Sequence, residues 1–274
     1  MELNNENYFS KEANEKYLSA SSFKDFMKCE VEALARVKGE LVEEKSPALL
    51  FGGYVDAYFS NELDQYLEQY GSEMVNSKTG ELKAPFKSIG DVIKAIETDE
   101  LMMKYLDGEK QVVMTGEIAG VLFKIKVDAL HPDMIVDQKI MSSIKERIWV
   151  EDKTTGKNIK TDFVEAFGYS IQGAIYQEIV RQNTGKVLPF ILAVCSKEEN
   201  PDKALIQIDQ EYLDQALELV KELAPRYDMI KNGIIAPVGC GKCASCRKDL
   251  KCSGVVSYKE LFNKEDINNG ENIE

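Results

Sequence analysis

Basic charge is in short supply: 34 Lys and Arg stand against 47 Asp and Glu, for a net charge of −13. Affinity for a phosphate backbone comes largely from Lys and Arg, so a chain-wide attraction to nucleic acid is excluded and only a local basic path could serve. Histidine is nearly missing. The single copy, His131, sits in the turn-like His131-Pro132-Asp133 and reads as structural, which leaves histidine-based nucleophilic catalysis without support. No apolar run approaches the roughly 20 residues of a membrane-spanning helix, and a soluble protein with no membrane partner is expected. The opening Met1-Glu2-Leu3-Asn4-Asn5-Glu6 has neither the basic start nor the apolar stretch of a signal peptide. The expected location is the cytoplasm.

What is present suits a core domain with a helical appendage: 274 residues, 44% of them hydrophobic. The first hundred residues read as helices. Ser19 to Ser22 are capping candidates before Phe23, Phe26, Met27 and Leu34 at helical spacing, and a second helix is predicted from Pro47 through Tyr58. From Gln111 the period changes to two, predicting a hairpin that turns at Ala119-Gly120, then a third strand Met134 to Lys139. A long helix over 162–183, strands over 187–196 and 204–208, and a helix over 210–231 follow. The expected fold class is α/β, a central mixed β-sheet flanked by helices. Its parts are a helical N-terminal region (1–110), a core (111–235), a cysteine-rich segment (236–256) and an acidic tail (257–274).

Asp-x-Lys alone carries little information, because Asp249-x-Lys251, Glu43-x-Lys45, Glu81-x-Lys83 and Glu151-x-Lys153 also occur. Only Asp137 and Lys139 close an apolar strand, where the two-residue period puts both on one face. A second carboxylate, Asp128, is expected to end the preceding strand. If those strands are neighbours, two carboxylates and an ammonium converge at one edge of the sheet, a set that suits a hard cation. Mg²⁺ or Mn²⁺ would take Asp128, Asp137, the backbone carbonyl of Gln138 and substrate phosphate oxygens. Lys139 would position or activate a water for in-line displacement, leaving a 5′-phosphate. Lys145, Arg147, Lys153, Lys157 and Lys160 supply a local basic path directly afterwards.

Six cysteines in a reducing compartment point to metal or cluster binding rather than disulfides. Cys240, Cys243, Cys246 and Cys252 lie within thirteen residues, a spacing compatible with a closed tetrahedral zinc site. Cys195, inside an apolar strand, reads as a small buried side chain.

Thr115-Gly116-Glu117-Ile118-Ala119-Gly120 leading to Asp128, Val136-Asp137-Gln138-Lys139, and Phe167 through Gln172 to Tyr176 together resemble the PD-(D/E)xK nucleases of the RecB-like branch. That resemblance implies a restriction-endonuclease-like fold and adds Gln172 and Tyr176 to the catalytic set as its Gln-x-x-x-Tyr element. It also aligns Leu49 to Asp56 with a first motif, where Asp56 replaces the usual histidine and could be a metal ligand. It further implies a [4Fe–4S] cluster held by Cys29 with Cys243, Cys246 and Cys252; Zn²⁺ on four of the five cysteines is the alternative. At finer grain the chain looks like a phage or prophage RecE-type exonuclease in a bacterial host. Such an enzyme would digest one strand of double-stranded DNA ends, 5′→3′, to give 3′ overhangs for a RecT-type annealing protein, as a ring-like homo-oligomer. Three alternatives stay open. One is a repair or CRISPR-type nuclease acting on single strands, one a non-catalytic DNA-binding protein, and one a zinc-dependent interaction module.

Overall fold

The computed structural model describes residues 2–41, 45–152, 156–248, 251–252 and 254–261. The N-terminal part is helical as expected, running through α1 (Lys11–Lys16), α2 (Ala20–Lys28), α3 (Glu30–Val37), α4 (Pro47–Phe59) and α5 (Leu63–Met74). A 3-10 turn (Ala84–Phe86), α6 (Ile89–Glu97) and α7 (Glu100–Leu106) complete it. Local chemistry sets the helix starts. Ser19 and Ser22 form a reciprocal capping box on α2, and Ser46 with Pro47 at the first position opens α4.

A five-stranded sheet follows in the order β1-β2-β3-β6-β7, formed by β1 (Glu109–Ile118), β2 (Val121–Leu130), β3 (Ile135–Met141), β6 (Phe190–Ser196) and β7 (Lys203–Gln207). All neighbours are antiparallel except β3 and β6, which run parallel, so the sheet is mixed. The hairpin between β1 and β2 turns at Ala119 and Gly120, both at positive φ (51° and 80°), the geometry of a tight two-residue connection.

The segment predicted only as a basic path folds as a second, two-stranded sheet, β4 (Ile148–Glu151) with β5 (Asn158–Thr161). Interspersed charges hide the strand pattern there, although Ile148, Trp149, Val150 and Ile159 are strand formers. The long helix expected over 162–183 is broken into α8 (Phe163–Ala166) and α9 (Tyr169–Thr184). Gly168 between them sits at φ 62°, and a side chain there would crowd Lys24 at 3.1 Å. The strand expected from Val187 begins only at Phe190. Helix α10 (Gln210–Lys231) matches its predicted span, with Pro225 inside it, and the short helices α11 (Ala244–Arg247) and α12 (Tyr258–Leu261) end the described chain. Much of the predicted acidic tail, from 262 on, lies outside the described residues, as do residues 153–155 of the basic path.

Strand alternation divides the core in two. Phe190, Leu192 and Val194 of β6 join Ile175 and Ile179 of α9, with Phe123, Ile125 and Val127 of β2, on one face. Ile191, Ala193 and Cys195 join Leu50, Phe51 and Val55 of α4, and Ile93 and Ile96 of α6, on the other. The sheet is therefore sandwiched, and a cluster of carboxylates, the buried Asp137 among them, lies where the pairing of β2 with β3 fails.

Candidate active site

Strand pairing of β2 with β3 is confined to Ala129↔Val136 and Leu130↔Ile135. One residue further on the two strands part, and the Asp128 side chain takes over from the ladder: its Oδ2 accepts from the backbone N–H of Gln138 at 2.8 Å. The next strand is distorted at the same level. Gln111 on β1 has φ 52°, a sterically costly value for a residue with a side chain. The buried Gln111 amide donates to Ser60 Oγ (2.8 Å) and to both oxygens of Asp56 (3.2 and 3.4 Å). A break in register thus brings Asp56 of α4, Asp128 of β2 and Asp137 of β3 into one cluster.

Asp137 is 1% exposed, and its two oxygens are divided between neighbours. Oδ1 accepts from Nε2 of Gln172 at 2.7 Å, and Oδ2 pairs with the Lys139 ammonium. Lys139 also lies 5.4 Å from the ring centroid of Tyr169 and donates to the Gln138 carbonyl at 3.3 Å. The electrostatics follow from crowding. Desolvation, then Asp56 and Asp137, push the Asp128 carboxyl well above the ordinary range. Asp56 is raised mainly by desolvation, against the pull of Lys139 and Lys126. Burial opposes charge on Lys139, but Asp137 and Asp128 outweigh it and hold the ammonium above its usual range.

Tyr176, grouped with the catalytic residues from the Gln-x-x-x-Tyr element, is nearly buried and donates its hydroxyl to the Lys126 carbonyl at 3.0 Å. It holds β2 two residues before Asp128, which is a positioning contact. Glu117 is engaged through its backbone N–H and carbonyl with Gln182, in the hairpin away from the cluster. His131 contacts the Tyr105 carbonyl at 2.8 Å, in keeping with a structural turn.

Two participants were not legible in sequence. Gln111 carries no motif, and only its backbone conformation marks it. Lys24 comes from α2, more than a hundred residues upstream of Asp137. Its Nζ donates to the Phe167 carbonyl (3.1 Å), approaches Gln172 Oε1 (3.5 Å) and lies 5.4 Å from the Tyr169 centroid. Burial, reinforced by Lys139, brings its pKa down to about 8. Lys24 and Lys139 therefore lie at the same ring, a doubled positive charge beside a carboxylate cluster.

Three clustered carboxylates, two of them disfavoured as anions, fit a hard divalent cation: oxygen donors converge where their mutual repulsion calls for positive charge. The cysteines form a separate centre. Sγ atoms of Cys29, Cys240, Cys243 and Cys246 all lie within 4.8 Å of one another. Individual separations are 3.5 Å for Cys29 to Cys246, 3.7 Å for Cys29 to Cys243 and 4.0 Å for Cys240 to Cys246. Cys240 accepts from the N–H groups of Lys242 (3.4 Å) and Cys243 (3.3 Å) around Gly241 at φ 73°. Those two donors bring the Cys240 thiol down to about 6. Cys252 is exposed and stands outside the group, while Cys195 is fully buried in β6. The donor set fits a thiophilic metal.

A family model described as a PDDEXK-like domain of unknown function (DUF3799) matches residues 19–249. The chain is also similar to the crystal structure of a "putative exonuclease" from Eubacterium rectale, with 44% sequence identity and a TM-score of 0.88, covering 96% of this chain and 99% of that one. No curated protein matches the sequence.

Proposed function

The chain belongs to the PDDEXK-like family DUF3799, within the PD-(D/E)xK nuclease superfamily, and from that premise we propose that it is a Mg²⁺-dependent exonuclease acting on the ends of double-stranded DNA. The observation that carries this reading is the register break, which sets Asp56, Asp128 and Asp137 against Lys139. Asp128 and Asp137, with the Gln138 carbonyl and Asp56, would hold the divalent ion. When bound, that ion supplies a water of lowered pKa and neutralises charge on the phosphoryl oxygens.

The protein's own groups do the positioning. Lys139, held as an ammonium by its carboxylate neighbours, donates hydrogen bonds to a phosphate oxygen or to the attacking water. Gln172 fixes the rotamer of Asp137, and Lys24, at the same Tyr169 ring as Lys139, adds a second cation behind it. Water oxygen bonds to phosphorus as the P–O3′ bond breaks, giving a 5′-phosphate and a 3′-hydroxyl.

Digestion 5′→3′ to leave 3′ overhangs for a RecT-type annealing protein, by a ring-like oligomer in a bacterial cytoplasm, is the finer reading that the sequence resemblance supports. Linear duplex labelled at the 5′ or the 3′ end, digested with Mg²⁺ and with EDTA, tests it. The expected result is early, Mg²⁺-dependent loss of the 5′ label, abolished in Asp137→Asn and Lys139→Ala. Cleavage retained in either variant would remove the assigned centre, and early loss of the 3′ label would reverse the polarity.

For the cysteine centre we propose a structural metal. A Zn–S bond of about 2.3 Å places tetrahedral sulfurs about 3.8 Å apart, and the separations of 3.5–4.0 Å agree with that. A cuboidal iron–sulfur cluster interposes four irons and would spread the thiolates further. The site ties the α2–α3 junction to the C-terminal segment.

A further inference from the structure

The β4–β5 hairpin is used by nothing described so far. It lies in the chain between β3, which carries Asp137 and Lys139, and α9, which carries Gln172. Its root is fixed. Ile148 packs against the main core, Thr161 hydrogen-bonds Glu165 of α8, and Arg147 lies 3.9 Å from Asp162. On β4 Glu151 accepts from Lys242, beside the cysteine centre, at 2.6 and 2.8 Å. This anchored arm presents Trp149, the only tryptophan of the chain, with 63% of its surface exposed.

Cross-strand pairing sets Trp149 opposite Lys160, whose Nζ lies 5.0 Å from the indole centroid. By strand alternation Trp149 and Lys160 share one face of the hairpin, and Ile159, opposite Val150, lies on the other. The cation beside the indole selects what this face would bind. Of the basic residues in this stretch, Lys139 pairs with Asp137, Lys145 with Asp202 and Arg147 with Asp162, and Lys160 is the cation that lies at the indole. An exposed aromatic with a cation at its face suits bases on a phosphate backbone, because every base offers a stacking face and the cation can follow the phosphates.

We propose that Trp149 is a stacking platform for an unpaired base of single-stranded DNA, with Lys160 alongside for the phosphate chain. The inference rests on the nuclease reading and deepens it. Hydrolysis of one strand from an end requires the terminal pairs to open, and a stacked base would hold one strand apart from the other.

Because Trp149 is the sole tryptophan, its emission reports this site alone. The wild-type protein without added Mg²⁺ is titrated with fluorescently labelled oligo(dT), with binding followed by anisotropy of the label, and with the unlabelled oligonucleotide for tryptophan emission. Quenching that saturates with the anisotropy is expected. Trp149→Ala should bind oligo(dT) roughly 5- to 150-fold more weakly, and Trp149→Phe should recover most of the loss. Binding by anisotropy with unmoved emission, or with Ala equal to wild type, overturns the proposal and leaves the nuclease reading intact. Failure to bind either oligo(dT) or duplex overturns both. Emission that changes with protein concentration in the absence of DNA, together with a dimer by light scattering, assigns the surface to a second copy and overturns it too.

Discussion

Gln172 donates its amide to Asp137 at 2.7 Å, and this one hydrogen bond joins α9 to β3 across the layer boundary. The same side chain turns its oxygen toward Lys24 at 3.5 Å. A glutamine can do both, since it carries a donor and an acceptor on one rigid plane. Elements far apart in sequence, α2, β3 and α9, are registered through it.

Replacing Gln172 should therefore damage turnover more than substrate binding. For Gln172→Ala the expectation is a fall in kcat of about 10- to 100-fold, in line with the loss of a group that orients the carboxylate proposed as a metal ligand. Gln172→Glu should be worse, because it sets a second carboxylate against Asp137 and removes the donor. Steady-state digestion of labelled duplex, with kcat and KM separated, checks this. A change confined to KM would mean that Gln172 contacts DNA and does not orient Asp137.

Asp128 carries a stability prediction with a definite sign. Its folded carboxyl is raised well above the usual value by desolvation, Asp56 and Asp137. Between the unfolded and folded pKa values the native state binds more protons, so metal-free stability falls as pH rises through that window. Asp128→Asn removes the titration. The variant should melt higher than wild type in EDTA at pH 8, by a margin that shrinks on acidification, and should lose most of the Mg²⁺-induced rise in Tm expected of wild type. Thermal melts across pH with and without Mg²⁺ decide it; an Asn variant that melts lower at pH 8 would mean that the bond to the Gln138 N–H outweighs the buried charge.

How much of this could be read beforehand depends on where the information lies. The β1–β2 hairpin, β3 and α10 follow from local pattern: alternation, a two-residue turn at Ala119-Gly120 and an amphipathic repeat. The convergence of Asp128 with Asp137 follows from adjacency of consecutive strands. The β4–β5 hairpin was hidden because its strands are four residues each and charge-interrupted. Gly168 broke a helix whose composition favours continuity. Lys24 and Gln111 were invisible for a different reason: the first joins the site only through tertiary packing of α2 against α9, and the second through a backbone φ of 52° that no side-chain pattern announces. The family resemblance chose Cys252 to join Cys29, Cys243 and Cys246, whereas the structure brings Cys240 to that place, with the chain turning at Gly241.

That separation makes the cysteine centre testable. Cys29 lies between α2 and α3, and the next residue, Glu30, grips Arg226 of α10 at 2.7 and 2.8 Å and the Val238 N–H at 2.7 Å. A metal on the four cysteines would close a loop that the Glu30 contacts have already drawn together, and its loss should loosen the seam of α3, α10 and the C-terminal segment before it touches the carboxylates. Cys246→Ser should lower Tm sharply while the folded fraction keeps most of its turnover, whereas Cys252→Ser should behave as wild type. Purified protein should contain about one zinc per chain by elemental analysis and show no visible absorption. A brown protein containing iron, with Cys252→Ser unstable and Cys240→Ser tolerated, would replace the single ion with a cluster on Cys29, Cys243, Cys246 and Cys252 and require the segment after Cys246 to fold back toward α3.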